Sequence, residues 1–76
     1  MTIFAVRHGK HIYTSLTLKG LCVKLAHFGL AVDWRRYEVY DYKEGNQLCT
    51  IGYDACRRCW LTYRKCEQGE IASIIY

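Results

Sequence analysis

The five cysteines, Cys22, Cys49, Cys56, Cys59 and Cys66, are the residues of this chain with the widest chemical repertoire. Cys56 and Cys59 form a Cys-x-x-Cys pair, with Cys49 and Cys66 on either side. Thiolates at that gap can wrap half of a tetrahedral zinc ion. Near a helix N-terminus the same pair is a redox arrangement, because the helix dipole lowers the thiol pKa. Neither a second Cys-x-x-Cys nor a His-x₃–₅-His pair completes a zinc site. Cys56, Cys59, Tyr63 and Cys66 instead recur at the 3-4-3 spacing of one helix stripe. Free cysteine behaves as a small hydrophobe and is among the most buried residue types. The spacing therefore predicts core packing, with no metal and no cofactor. An odd number of cysteines, most of them on one predicted helix, reads as free thiols in a reducing, cytoplasmic compartment.

Cations and aromatic residues make the second group. Trp34-Arg35-Arg36-Tyr37 leads into Tyr40 and Tyr42 without a breaker, which predicts a strand. Alternation places Arg36, Glu38, Tyr40 and Tyr42 on one face and Tyr37 and Val39 on the other. Arginines between aromatic rings can stack bases and hold phosphates. Glu38 and Asp41, in the same strand, would repel a phosphate backbone, whereas Tyr, Trp and Arg are also the residues enriched at protein interfaces. On a helix over about 54–67 with Cys56 inward, Arg57, Arg58, Leu61, Arg64 and Lys65 point outward. That pattern sets four cations around an apolar anchor, a docking surface for carboxylate or phosphate. The predicted partner-binding set is thus Arg35, Arg36, Tyr40, Tyr42, Arg57, Arg58, Leu61, Arg64 and Lys65.

A third motif lies near the start. Val6-Arg7-His8-Gly9 ends an apolar run, and Leu16-Thr17-Leu18-Lys19-Gly20 follows closely. Residues 4–25 resemble the beginning of the histidine phosphatase family, in which a strand ends in Arg-His-Gly and a later Leu-Thr-x-x-Gly opens a helix. The resemblance implies an α/β layout, His8 as a phosphorylated nucleophile and Arg7 as a phosphate ligand. It covers under a third of the chain and brings no second Arg–His pair. The residues read without it give a solvated hairpin turn, with Gly9 supplying a positive φ.

These groups need elements to position them. Residues 2–7 read as a first strand, with no basic n-region or small-residue cleavage site of a signal peptide. Ile12 to Ser15 returns as a second. Leu18, Leu21, Cys22, Leu25 and Phe28 share one helix face, which predicts a helix over about 17–28. Thr17 is its N-cap, Gly29 its left-handed C′ residue, and Leu30 packs back on Leu25. Trp34–Tyr42 and Gln47–Ile51 read as a hairpin about Lys43-Glu44-Gly45-Asn46. The second helix follows, capped by Asp54 or Thr50. Residues 70–76 then read as a last strand, apolar on both faces and central in the sheet or covered on both sides. Strand, turn, strand and helix occur at 2–28 and again at 35–67, with Thr17 matching Thr50 and Leu18 matching Ile51. The expected fold is α+β: a small two-layer domain, an antiparallel or mixed sheet with two helices on one face, in the order β-β-α-β-β-α-β.

Composition bounds the function. The 76 residues make one domain, 51% hydrophobic and 14% aromatic, which excludes a disordered chain. No stretch approaches the ~20 apolar residues that span a bilayer, so a soluble protein without a membrane partner is expected. The net charge is +4, and no Asp or Glu precedes Asp33, while Arg7, Lys10, Lys19 and Lys24 do. That imbalance favours an acidic macromolecular surface as partner. The reading that fits these features is a non-enzymatic docking protein whose target is a protein before it is a nucleic acid. Tiny lone domains of this kind include phage and mobile-element inhibitors of host complexes, anti-CRISPR and other anti-defence proteins among them. A nucleic-acid-binding domain is the alternative, and a phosphoryl-transfer enzyme using the Arg-His-Gly motif ranks last. Apolar strands in so small a sheet also allow a homodimer through a sheet edge.

Overall fold

From Phe4 to Ser15 the chain favours extended backbone on both sides of one glycine, and there it forms a hairpin. In the computed structural model, which describes residues 1–76, β1 (Phe4–His8) and β2 (His11–Ser15) pair antiparallel, closing with His8 opposite His11. Gly9 takes φ 62° in the turn between them. One helix follows, α1 (Leu18–His27), and then β3 (Arg36–Asp41), β4 (Gln47–Asp54), β5 (Cys59–Cys66) and β6 (Gly69–Ile74). The six strands form one sheet in the order β2-β1-β3-β4-β5-β6, with every neighbouring pair antiparallel.

The ends of α1 are those expected. The Thr17 hydroxyl accepts the Gly20 N–H at 2.9 Å. A Cβ at Gly20 would lie 2.5 Å from Ser15 Oγ and 2.9 Å from Thr17 Oγ1, so the glycine makes room for both hydroxyls. At the other end Gly29 takes φ 77°, its N–H donates to Ala26 O, and Leu30 N–H donates to Leu25 O at 2.9 Å. That pair of bonds is a Schellman ending.

The helix buries Leu21, Cys22 and Leu25 on the sheet, above β1 and β2. Residues 28–35 carry the cover on over the middle strands. Leu30 is buried there, and its carbonyl accepts the Tyr37 hydroxyl at 2.7 Å. Beneath lie Val6, Tyr37, Val39, Cys49, Ile51 and Trp60, one side of β1, β3, β4 and β5. Nothing comparable covers the other side, where Arg7, Arg36, Glu38, Tyr40, Gly52, Leu61 and Tyr63 alternate with the core residues.

Four expectations are corrected. The second helix does not exist: residues 55–58 turn between β4 and β5, and Cys59–Cys66 is a strand. The order is β-β-α-β-β-β-β, with a single helix on the sheet instead of two. The echo of 2–28 in 35–67 therefore fails at the point where the helix should recur. The last strand is an edge, exposed along its whole length, and not central or covered. Asp54 does cap, since its Oδ1 accepts the backbone N–H of Cys56 and Arg57 at 3.0 and 3.2 Å. The chain makes only that one turn. Arg58 takes φ 55°, which ends any helix, and Trp60-Leu61-Thr62-Tyr63 are strand formers. The all-antiparallel sheet also differs from the α/β layout that the histidine phosphatase resemblance implies.

Gly52 sits where packing leaves little room for a side chain. A Cβ there would meet Tyr63 Cε2 at 3.2 Å, the Arg35 carbonyl at 3.3 Å and Arg36 Cγ at 3.5 Å. Gly52→Val is expected to destabilise the fold by ~1–3 kcal/mol through overpacking. Urea unfolding of the two proteins measures this, and an unchanged midpoint would show that β4 does not need the gap.

Candidate functional site

The segment between α1 and β3 carries the least expected residue conformation in the chain. Arg35 N–H donates to Val32 O at 3.2 Å, which closes a turn with Asp33 and Trp34 at its centre. Trp34, third in that turn, has φ 71°. A positive φ at that position marks a type II turn, which favours Gly or Asn there. Holding a large side chain in a left-handed conformation costs on the order of 1–3 kcal/mol. The indole gains no burial in return, being 93% exposed.

The turn is braced from below. Asp33 bridges to Tyr53 on β4, and its Oδ1 accepts the Ala55 N–H at 3.1 Å, tying the segment to the β4–β5 turn. Tyr37 ties it to β3 through the Leu30 carbonyl. Trp34 therefore stands out from a fixed base.

Two hollows open near the turn, and Trp34 itself lines the smaller. The smaller, about 280 Å³, is lined by Asp33, Trp34, Arg36, Tyr53, Cys56 and Tyr63, among others. The larger, about 860 Å³, opens where β1 and β3 part. Their pairing covers only Phe4–Asp41 and Ala5–Tyr40, and beyond it the strands diverge. Arg7, His8, Arg35, Arg36, Glu38 and Tyr40 line this cleft. His8 packs edge-on against Tyr37 across it, with ring centroids 6.2 Å apart.

Arg36 spans the uncovered side of the sheet. Its guanidinium lies 3.9 Å from the centre of the Tyr63 ring and 2.9 Å from Glu70 on β6. The Glu70 hydrogen bond pushes the Arg36 pKa still higher than usual, so the charge is permanent but already partnered. Arg7 and Arg35 remain without an ion-pair partner.

The predicted partner set separates in space. Arg35, Arg36 and Tyr40 meet at the larger cleft. Tyr42 is exposed beyond the end of β3, with its N–H on the Ile3 carbonyl. Arg57 and Arg58 are exposed in the β4–β5 turn, where Arg57 pairs with Asp54 at 3.7 Å. Arg64 and Lys65 are exposed on β5, and as adjacent strand residues they point to opposite faces. Leu61 is buried, 6% exposed, opposite Gly52 and Ile74. It offers no apolar anchor, and the cationic helix face drawn around it is absent. Trp34 lies outside the predicted set, as do Arg7 and Tyr63. The available signal is that Trp34 is flanked by charged residues, Asp33 before it and Arg35 and Arg36 after it.

The thiols also divide. Cys22 and Cys49 are buried, whereas Cys56 and Cys66 are exposed and not in the core as their spacing predicts. No three His, Cys, Asp or Glu side chains converge as metal ligands, and no helix is long and apolar enough to cross a membrane. The chain matches no protein-family model, no curated protein and no solved structure.

Two outcomes follow from this geometry. Burial, reinforced by the nearby Cys49, raises the Cys22 thiol from 9.0 to about 12. At pH 8 a thiol reagent should label Cys56 and Cys66 in the native protein, and Cys22 only on unfolding. A raised folded pKa means that the Cys22 contribution to stability is intact below 9.0 and is lost as the pH climbs toward 12. Rapid native labelling of Cys22, located by peptide mapping, would contradict the burial. Trp34→Gly should leave the protein equally stable or up to about 1 kcal/mol more stable. Relief of left-handed strain outweighs the added chain entropy of glycine. A clear loss in thermal unfolding would mean that the indole holds the fold.

Proposed function

We propose that this protein docks on the surface of another protein, with Trp34 as the anchor inserted into an apolar pocket and Arg35 and Arg7 as rim contacts for carboxylates. The observation that carries this reading is the fully exposed Trp34, held at positive φ on a braced turn. A conformation that costs stability and buries nothing is an expense that binding can repay. A docked indole removes ~150–250 Å² from water, worth on the order of 4–6 kcal/mol before ordering costs. Tryptophan and arginine are also the residues that dominate interface energetics.

A protein target is favoured over a nucleic acid because carboxylates stand among the cations nearest Trp34. Glu70 neutralises Arg36, Asp54 holds Arg57, and Glu38 stands inside the same cleft as Arg7 and Arg35. A docking protein without a catalytic constellation acts by occupancy. Masking of a host complex by a phage or mobile-element protein is the specific form of this reading.

The test is affinity capture from a nuclease-treated lysate of the natural host, with wild type and Trp34→Ala side by side. One protein recovered near stoichiometry by the wild type and lost by the variant is the expected result. Titration with that protein should show Trp34→Ala weakening binding about 30-fold or more, equivalent to ~2 kcal/mol. Arg35→Glu should act chiefly on the association rate and its salt dependence. Capture indifferent to Trp34→Ala would overturn the anchor. Recovery of nucleic acid alone, with affinity falling steeply in salt, would overturn the protein target.

A further inference from the structure

The two edges of the sheet are treated differently. On β2, the Lys24 ammonium of α1 reaches over and donates to the Thr14 carbonyl, so the helix guards that edge. β6 has no such guard. Its six residues, Gly69-Glu70-Ile71-Ala72-Ser73-Ile74, are all exposed, with Ile71 at 57% and Ile74 at 67%. The strand holds no lysine, arginine or proline, the residues that usually blunt an edge.

The hydrogen-bonding parity of β6 follows from its hairpin. Cys66 pairs with Gly69 across the turn, and Ile75 N–H donates to the Trp60 carbonyl on β5 at 2.8 Å. Odd-numbered residues from 69 to 75 therefore direct their backbone groups toward β5, and Glu70, Ala72 and Ile74 direct theirs outward. A second antiparallel copy of this strand presents the same outward groups, so the edge is self-complementary about a two-fold axis. With the axis at Ser73, Ala72 and Ile74 exchange backbone hydrogen bonds with Ile74 and Ala72 of the other copy. On the opposite face, Ile71 then lies beside the second copy's Ile75. No charged side chains are opposed, since Glu70 is the sole charged residue of the strand and is paired to Arg36.

We infer that β6 pairs with β6 of a second copy, so that two protomers share one continuous antiparallel sheet and form a closed dimer. Trp34 lies in the segment before β3, and the two hollows near it are lined by no residue of β6, so the inference is independent of the docking proposal.

The experiment is sedimentation of the full chain across a concentration series, beside Ala72→Pro and Ile74→Lys. Ala72→Pro removes an outward N–H, and Ile74→Lys puts a charge on the joined face. The expected result is a wild-type dimer that both variants shift to monomer at equal concentration, raising the dissociation constant at least tenfold. A wild-type monomer at the highest concentration, or a dimer that neither variant shifts, would overturn the inference. So would assemblies that grow without limit, which signify β6 pairing to β2. Amide exchange of the unmodified chain provides a readout free of any folding defect. The Ala72 and Ile74 N–H groups should exchange slowly at concentrations where the dimer forms and fast on dilution. Fast exchange at every concentration would count against the pairing.

Discussion

One short helix has to cover a six-stranded sheet, and much of the structure answers that mismatch. Ten helical residues span ~15 Å, whereas six strands at ~4.8 Å spacing are roughly 24 Å wide. The helix rests over β1 and β2 and ends there. The cover for the middle strands comes from irregular chain, residues 28–35, and irregular chain must satisfy its own backbone groups. The Schellman ending turns it, Leu30 fills the gap over the core, and the Tyr37 hydroxyl takes up the Leu30 carbonyl. Asp33 then fastens the segment to β4 and the β4–β5 turn. The exposed Trp34 arises at the place where this covering segment must reverse into β3. The cover runs out before β6, and the uncovered face is left to smaller devices such as the Arg36 strap over Tyr63.

The first half of the chain was legible because its signals agree. Period, N-cap and C′ glycine all place α1, and the two glycine turns place their hairpins. The second half misleads because two signals conflict. Cys56, Cys59, Tyr63 and Cys66 recur at helical spacing behind a genuine cap at Asp54. Against them stand the strand-forming residues 60–63, whose alternation places Trp60 in the core and Leu61 on the other face. Tertiary pairing decides for the strand, since β5 lies between β4 and β6 and bonds to both. Local spacing cannot reveal that a partner strand is waiting on each side.

The candidate site was legible in part. Arg35, Arg36 and Tyr40 do meet, because strand alternation is a local property. Their meeting with Arg7 is not local: it depends on β1 lying next to β3 and then diverging from it. Charge counting also says nothing of where the charges sit. The net +4 already includes Glu70 and Asp54, and the fold sets each of them against an arginine, Arg36 and Arg57.

The chain has two tryptophans, and they occupy opposite environments: Trp34 is 93% exposed and Trp60 3%. An indole in water emits at longer wavelength than one in an apolar core. The intrinsic fluorescence of this protein therefore contains two separable reporters. Trp60, packed at 5.5 Å centroid distance against Tyr53, follows the integrity of the sheet. Trp34 follows only what comes to rest on the turn, so unfolding and occupancy leave different spectral signatures in a single unlabelled sample.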